Sequence, residues 1–129
     1  MTDQVYYYQA KVIKVIDGDT VEVEIDLGFG ISKKFKARLW GINTPEISKS
    51  RNKEEKAKGL ESKSRLEQWL KDNSADNKIL IKSHDGKQLK QEKYGRWLIE
   101  IYPTNKNENS ISLNDLLVKE GYAVEFMRK

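Results

Sequence analysis

Between Val21 and Leu27 the chain alternates strictly, with Val21, Val23, Ile25 and Leu27 separated by Glu22, Glu24 and Asp26. A period of two puts the apolar residues on one face of a β-strand, and that face belongs to a core. Tyr6 to Ile16 is rich in β-branched and aromatic residues, and Lys34 to Trp40 alternates again, with Phe35, Ala37 and Leu39 opposed to Lys36 and Arg38. Strands therefore open the chain. Asp17-Gly18 separates the first pair, and Gly28-Phe29-Gly30 turns the second strand into the third. From Lys53 to Lys71 the period changes: Gly59 is the sole Gly or Pro, and Ala57, Leu60, Leu66, Trp69 and Leu70 fall at helical spacing. This predicts an amphipathic helix with a basic outer face. Lys78 to Lys82 and Trp97 to Tyr102 read as further strands, followed by an Asn-rich turn from Pro103 to Ser110. A last helix, Leu113 to Glu120, is expected to start at Ser112, with Asp115 as its capping-box acid, and to stop at Gly121.

The order β-β-β-α-β-β-α has no repeat and no dividing linker, which predicts one domain over residues 1–129. Five strands in a small, mostly antiparallel set point to a closed or nearly closed β-barrel of the OB kind with helices packed on it, an α+β arrangement. Hydrophobic residues make up 37% and charged residues 34%, lean for a core, but 3 Trp, 6 Tyr and 3 Phe are too many for a solvating tail. No apolar run is long enough to span a bilayer, and Met1-Thr2-Asp3-Gln4 has neither a basic nor an apolar leader segment. The expectation is a cytoplasmic monomer with no membrane partner. The lack of cysteine excludes disulfides, a thiolate nucleophile and cysteine zinc sites, and the Gly-x-Gly-x-x-Gly, P-loop and His-Glu-x-x-His motifs are missing.

Charge is unevenly spread: residues 1–48 carry −1, 49–71 carry +4 and 72–129 carry +1. A second basic concentration runs from Lys82 to Arg96, broken by Asp85 and Glu92. Such stretches favour polyanions through counterion release, and they also fit a solvated helix face and a loop.

Folding the second and third strands about Gly28 to Gly30 lays the start of one beside the end of the other, so Asp19 approaches Asn43-Thr44-Pro45-Glu46. Two carboxylates and several carbonyl oxygens form a hard-oxygen set that suits Ca²⁺ or Mg²⁺ better than a transition metal. Arg38 lies a few residues before that cluster. A cation, a carboxylate base and an arginine directed at one spot are the parts needed to hydrolyse a phosphodiester. Taken separately, Asp17-Gly18-Asp19-Thr20 also reads as a plain turn and Thr44-Pro45-Glu46 as a helix start.

In combination, Ile16-Asp17-Gly18-Asp19-Thr20-Val21, then Arg38-Leu39-Trp40-Gly41-Ile42-Asn43-Thr44-Pro45-Glu46, then Lys93-Tyr94-Gly95-Arg96 resemble the staphylococcal nuclease (thermonuclease) family. The resemblance continues through Leu113-Asn114-Asp115-Leu116-Leu117-Val118 and Gly121, covering Ala10 to Ala123. It implies an OB-type barrel and a Ca²⁺-dependent phosphodiesterase acting on single-stranded DNA and RNA to leave 3′-phosphate ends. By motif, Asp19 resembles the metal carboxylate, Thr44 the residue lending a backbone carbonyl to the metal, and Glu46 the general base. Arg38 and Arg96 resemble the pair that grips the phosphate, a role suited to guanidinium because it stays charged and can donate parallel bonds. Lys93 and Tyr94 resemble the positions that hold a neighbouring phosphate and the nucleoside, and Lys49 to Lys58 the mobile loop over the cleft.

Two departures stand out. Asn43 occupies the place of a second metal-binding aspartate; its amide oxygen can ligate calcium without contributing charge. The family's closing helix has no counterpart before Lys129, and near the base-stacking tyrosines of that region only Phe126 is found. The alternative is a catalytically weakened module that binds single-stranded nucleic acid or a protein partner, and a third is a structural or inhibitory protein using the basic helix. Retention of Arg38, Glu46 and Arg96 favours hydrolysis. His84 beside Asp85-Gly86 reads as an exposed imidazole, Trp40, Trp69 and Trp97 as packing residues, and Tyr6-Tyr7-Tyr8 as alternating in and out along the first strand.

Overall fold

A computed structural model describes residues 7–45, 47, 52–73, 78–83, 97–104 and 110–126. Their elements are β1 (Tyr7–Asp17), β2 (Thr20–Gly28), β3 (Ile31–Leu39), β4 (Ile42–Asn43), α1 (Lys53–Asn73), β5 (Lys78–Ser83), β6 (Trp97–Tyr102), α2 (Leu113–Lys119) and β7 (Val124–Glu125). The barrel closes in the order β1-β2-β3-β6-β5. Neighbours are antiparallel except β3 and β6, which run parallel, with Ala37, Arg38 and Leu39 opposite Trp97, Leu98 and Ile99. Inward-facing Val21, Val23, Ile25, Ala37, Leu39, Ile79, Ile81, Ile99 and Ile101 fill the barrel, and Leu66, Trp69 and Leu70 of α1 join Leu113 and Leu117 of α2 in the same core. The expected barrel with packed helices is therefore observed. Tyr7 is exposed and Tyr8 packs on the core, as alternation requires, whereas Tyr6 and His84 lie outside the described residues.

Four local expectations are corrected. Leu27 is 45% exposed: the β2–β3 ladder is irregular between Asp26 and Gly28, so Leu27 has no partner in β3 and the regular alternation lapses at the hairpin tip. The tip is held by an Asx turn in which Gly28 N donates to Asp26 Oδ1 at 2.8 Å. On α1, Ala57 and Leu60 are exposed while Gly59 and Ser62 are buried. At Ser62 the reason is close approach: a Cβ at Gly18 would sit 2.7 Å from Ser62 Cβ, so a small pair fits where α1 meets the β1–β2 turn. The outer face of α1 is also mixed rather than basic, since Glu54, Glu61 and Glu67 are exposed alongside Lys53, Lys56 and Lys58. Lys53 to Lys58, helical by periodicity but part of a loop by the family resemblance, form the first turns of this helix, started by Asn52, whose Oδ1 accepts from Glu54 N at 2.8 Å.

Ser112 caps α2 by accepting from Asp115 N at 3.0 Å, and Gly121, at φ 85°, takes the left-handed conformation that ends it. The fully buried Asn114 joins α2 to the β3–β6 seam: its Nδ2 donates to Trp40 O at 2.8 Å and Ile99 O at 3.0 Å, and its Oδ1 accepts from Ile101 N at 3.2 Å. Arg65 of α1 grips Glu120 through two bonds of 2.6 and 3.2 Å. That pairing raises the Arg65 pKa and lowers that of Glu120. Among the described residues no helix is long and apolar enough to cross a membrane.

Candidate phosphate and cation site

The site forms where the start of β2 meets the end of β3. Thr20 pairs with Arg38 across the ladder, and Leu39 N donates to Asp19 O at 2.8 Å, which fixes the backbone of the carboxylate-bearing residue. The Asp19 side chain is 10% exposed. Its Oδ1 accepts from Thr20 Oγ1 at 3.0 Å and its Oδ2 from Thr44 N at 3.1 Å. A buried carboxylate is tolerated because each oxygen has a donor.

Arg38 Nη2 stands 3.7 Å from Asp19 Oδ2 and donates to Ile42 O and to Asn43 Oδ1, each at 3.0 Å. Both N–H groups of Nη2 are thereby engaged. Among the described residues Nε and Nη1 make no hydrogen bond, which leaves three of the five guanidinium donors for an incoming oxyanion. The structure thus brings together Asp19, Arg38, Asn43 and Thr44. Glu46, Lys93, Tyr94 and Arg96, and residues 48–51 of the expected loop, lie outside the described residues.

The donors present are oxygens throughout, the chemistry a hard cation takes. Each Asp19 oxygen keeps a lone pair beyond the hydrogen bond it accepts, and so does Asn43 Oδ1. Thr44 Oγ1 is buried without a hydrogen-bond partner among the described residues, an unsatisfied oxygen beside Asp19. The set therefore fits such an ion, with one carboxylate charge to hold it; among the described residues there is no group of three or more His, Cys, Asp or Glu side chains arranged around a point.

Two features escaped the sequence pattern. Ile42 and Asn43 form β4, which pairs antiparallel with Val124 and Glu125 of β7. The residue after β7, Phe126, donates its N–H to Gly41 O at 2.8 Å and sets its ring 5.0 Å from the Arg38 guanidinium carbon. Strands of two residues carry no readable alternation, so the local sequence holds no signal for this clip.

A closed five-stranded barrel in this order, with two helices packed on it, is an OB-type barrel, and it carries an acid and an arginine at the β2–β3 end. The family model described as staphylococcal nuclease homologue matches residues 36–129, and the chain belongs to that family. It is also similar to a protein of Methanocaldococcus jannaschii named "Uncharacterized protein MJ1439", with 38% identity over 132 residues that cover 91% of this chain and 58% of the relative. The chain thus spans little more than half the length of that curated relative.

Proposed function

We propose that the protein is a metal-dependent, sugar-nonspecific nuclease that hydrolyses phosphodiester bonds of single-stranded DNA and RNA. The observation that carries this reading is the buried Asp19 carboxylate set 3.7 Å from the Arg38 guanidinium, whose Nε and Nη1 make no hydrogen bond among the described residues. Asp19, with oxygens from Asn43 and Thr44, would hold a divalent cation of the Ca²⁺ type, Mg²⁺ being the other candidate. When bound, that ion supplies positive charge against the phosphate oxygens. Arg38 and Arg96 bind the scissile phosphate and offset the charge that grows on it as the five-coordinate state forms. Glu46 accepts the proton of the attacking water; the new oxygen–phosphorus bond forms as the bond to the 5′ oxygen breaks, and that oxygen takes up a proton, leaving a 3′-phosphate. Lys93 and Tyr94 hold the neighbouring phosphate and nucleoside.

Digestion of single-stranded DNA by the purified protein, with Ca²⁺, Mg²⁺ or chelator, tests the reading. Cleavage is expected only with a divalent ion. Glu46→Gln should lower the rate ~10²- to 10⁴-fold while binding persists, and Arg38→Ala about 10²- to 10³-fold with the fold intact. Unchanged turnover in Glu46→Gln would sink the mechanism.

A further inference from the structure

Arg38 is held from the side of the small β4–β7 sheet. Its Nη2 is bonded to Ile42 O and Asn43 Oδ1 of β4, and the Phe126 ring beyond β7 lies against the guanidinium. Phe126 is 39% exposed and stands apart from the barrel core, so its ring is not there to fill the interior. A guanidinium carries its N–H groups in its own plane, and an aromatic face attracts the cation without using any of them. The ring can therefore restrain Arg38 without occupying Nη1 or Nε, which make no hydrogen bond among the described residues. An arginine already held in place gives up few rotamers on binding; a loose one gives up many.

We propose that Phe126 is a positioning residue for Arg38, which sets the guanidinium so that Nη1 and Nε meet a phosphate oxygen. This rests on the phosphate-binding role given to Arg38 above. An exposed aromatic next to a phosphate site has another use, stacking a base. The two differ for a phosphate that carries no base: positioning acts on it, stacking does not.

The test is an NMR titration of the full chain with inorganic phosphate, and in parallel with a dinucleotide, in chelator so that no cation contributes. Phe126→Leu, which keeps an apolar side chain, should weaken inorganic phosphate by about three- to tenfold, the span of a part-exposed cation–π contact. Phe126→Tyr, which keeps the ring, should stay within about twofold of the native protein. Arg38→Ala should weaken phosphate binding sharply, leaving what Arg96 contributes, and adding Phe126→Leu to Arg38→Ala should weaken it no further. Loss of dinucleotide affinity in Phe126→Leu with inorganic phosphate unchanged would overturn the proposal in favour of base stacking. If Arg38→Ala itself leaves phosphate binding intact, the phosphate role of Arg38 fails and the proposal with it. If Arg38→Ala loses phosphate and Phe126→Leu does not, only the positioning role fails.

Discussion

Replacing Gly18 by alanine presses on the contact that joins the β1–β2 turn to α1. The added Cβ would lie 2.7 Å from Ser62 Cβ, 3.1 Å from Thr44 Oγ1 and 3.2 Å from Thr44 Cγ2. Carbon atoms pack best at about 3.5–4.0 Å, so Ser62 must recede by roughly 1 Å. It cannot do so freely, because Ser62 Oγ donates to Tyr122 O at 2.7 Å and Arg65, one turn on, is tied to Glu120. Overpacking of a tight site costs about 1–3 kcal/mol, which for a chain of this size lowers Tm by several degrees, at roughly 3–6 °C per kcal/mol. Ser62→Gly removes the clashing Cβ but also the Tyr122 bond, and puts a second glycine into the helix, at a cost of about 1.5–2.5 kcal/mol by itself. If the clash sets the cost of Gly18→Ala, the double variant should be more stable than the summed single losses by about 1 kcal/mol or more. The Thr44 contacts remain in it, so recovery should be incomplete. Thermal melts of the native protein and the three variants measure this coupling. Strict additivity, within about 0.5 kcal/mol, would refute the claim that the approach of α1 requires glycine at position 18.

Asn43→Asp should raise Ca²⁺ affinity by adding ligand charge, and a nucleotide phosphate should tighten Ca²⁺ in the native protein; calorimetric titration of both forms with equal affinities would remove position 43 from the cation site. The catalytic rate need not follow, since a cation held harder in the ground state does not by itself favour the transition state. The Glu120 carboxyl is held below its ordinary value of 4.5 mainly by its hydrogen bond to Arg65. Its contribution to stability is therefore complete above the unfolded-state value and lost as pH falls through the lower folded-state value. Denaturant melts from neutral pH into acid should show Glu120→Gln less stable than the native protein at neutral pH by under about 1 kcal/mol, as befits an exposed pair, with the gap closing in acid. A gap that widens in acid would contradict this.

The β-branched alternation of Val21, Val23 and Ile25 was enough to read β2 from the chain alone, because a sheet buried on one face forces a period of two wherever the core lies beneath it. The hairpin turn was equally local: Gly28 and Gly30 both sit at positive φ. From hairpin geometry it followed that Asp19 would meet residues 43 and 44, and Thr44 N does bond Asp19 Oδ2. Where that pattern stops being buried was not local. Leu27 continues the same alternation in sequence and is exposed, since period alone does not show where the ladder becomes irregular. The same holds for α1, where the helical stripe placed Leu60 inward, yet Leu60 is exposed and the small Ser62, against Gly18, is buried. Closure through the parallel β3–β6 pair, and the β4–β7 clip that brings Asn43 and Phe126 to Arg38, depend on contacts between segments far apart in the chain. Residue types along one segment record which surface it must bury; which distant segment buries it, and what that partner sets beside a charged side chain, is decided only when the whole core packs.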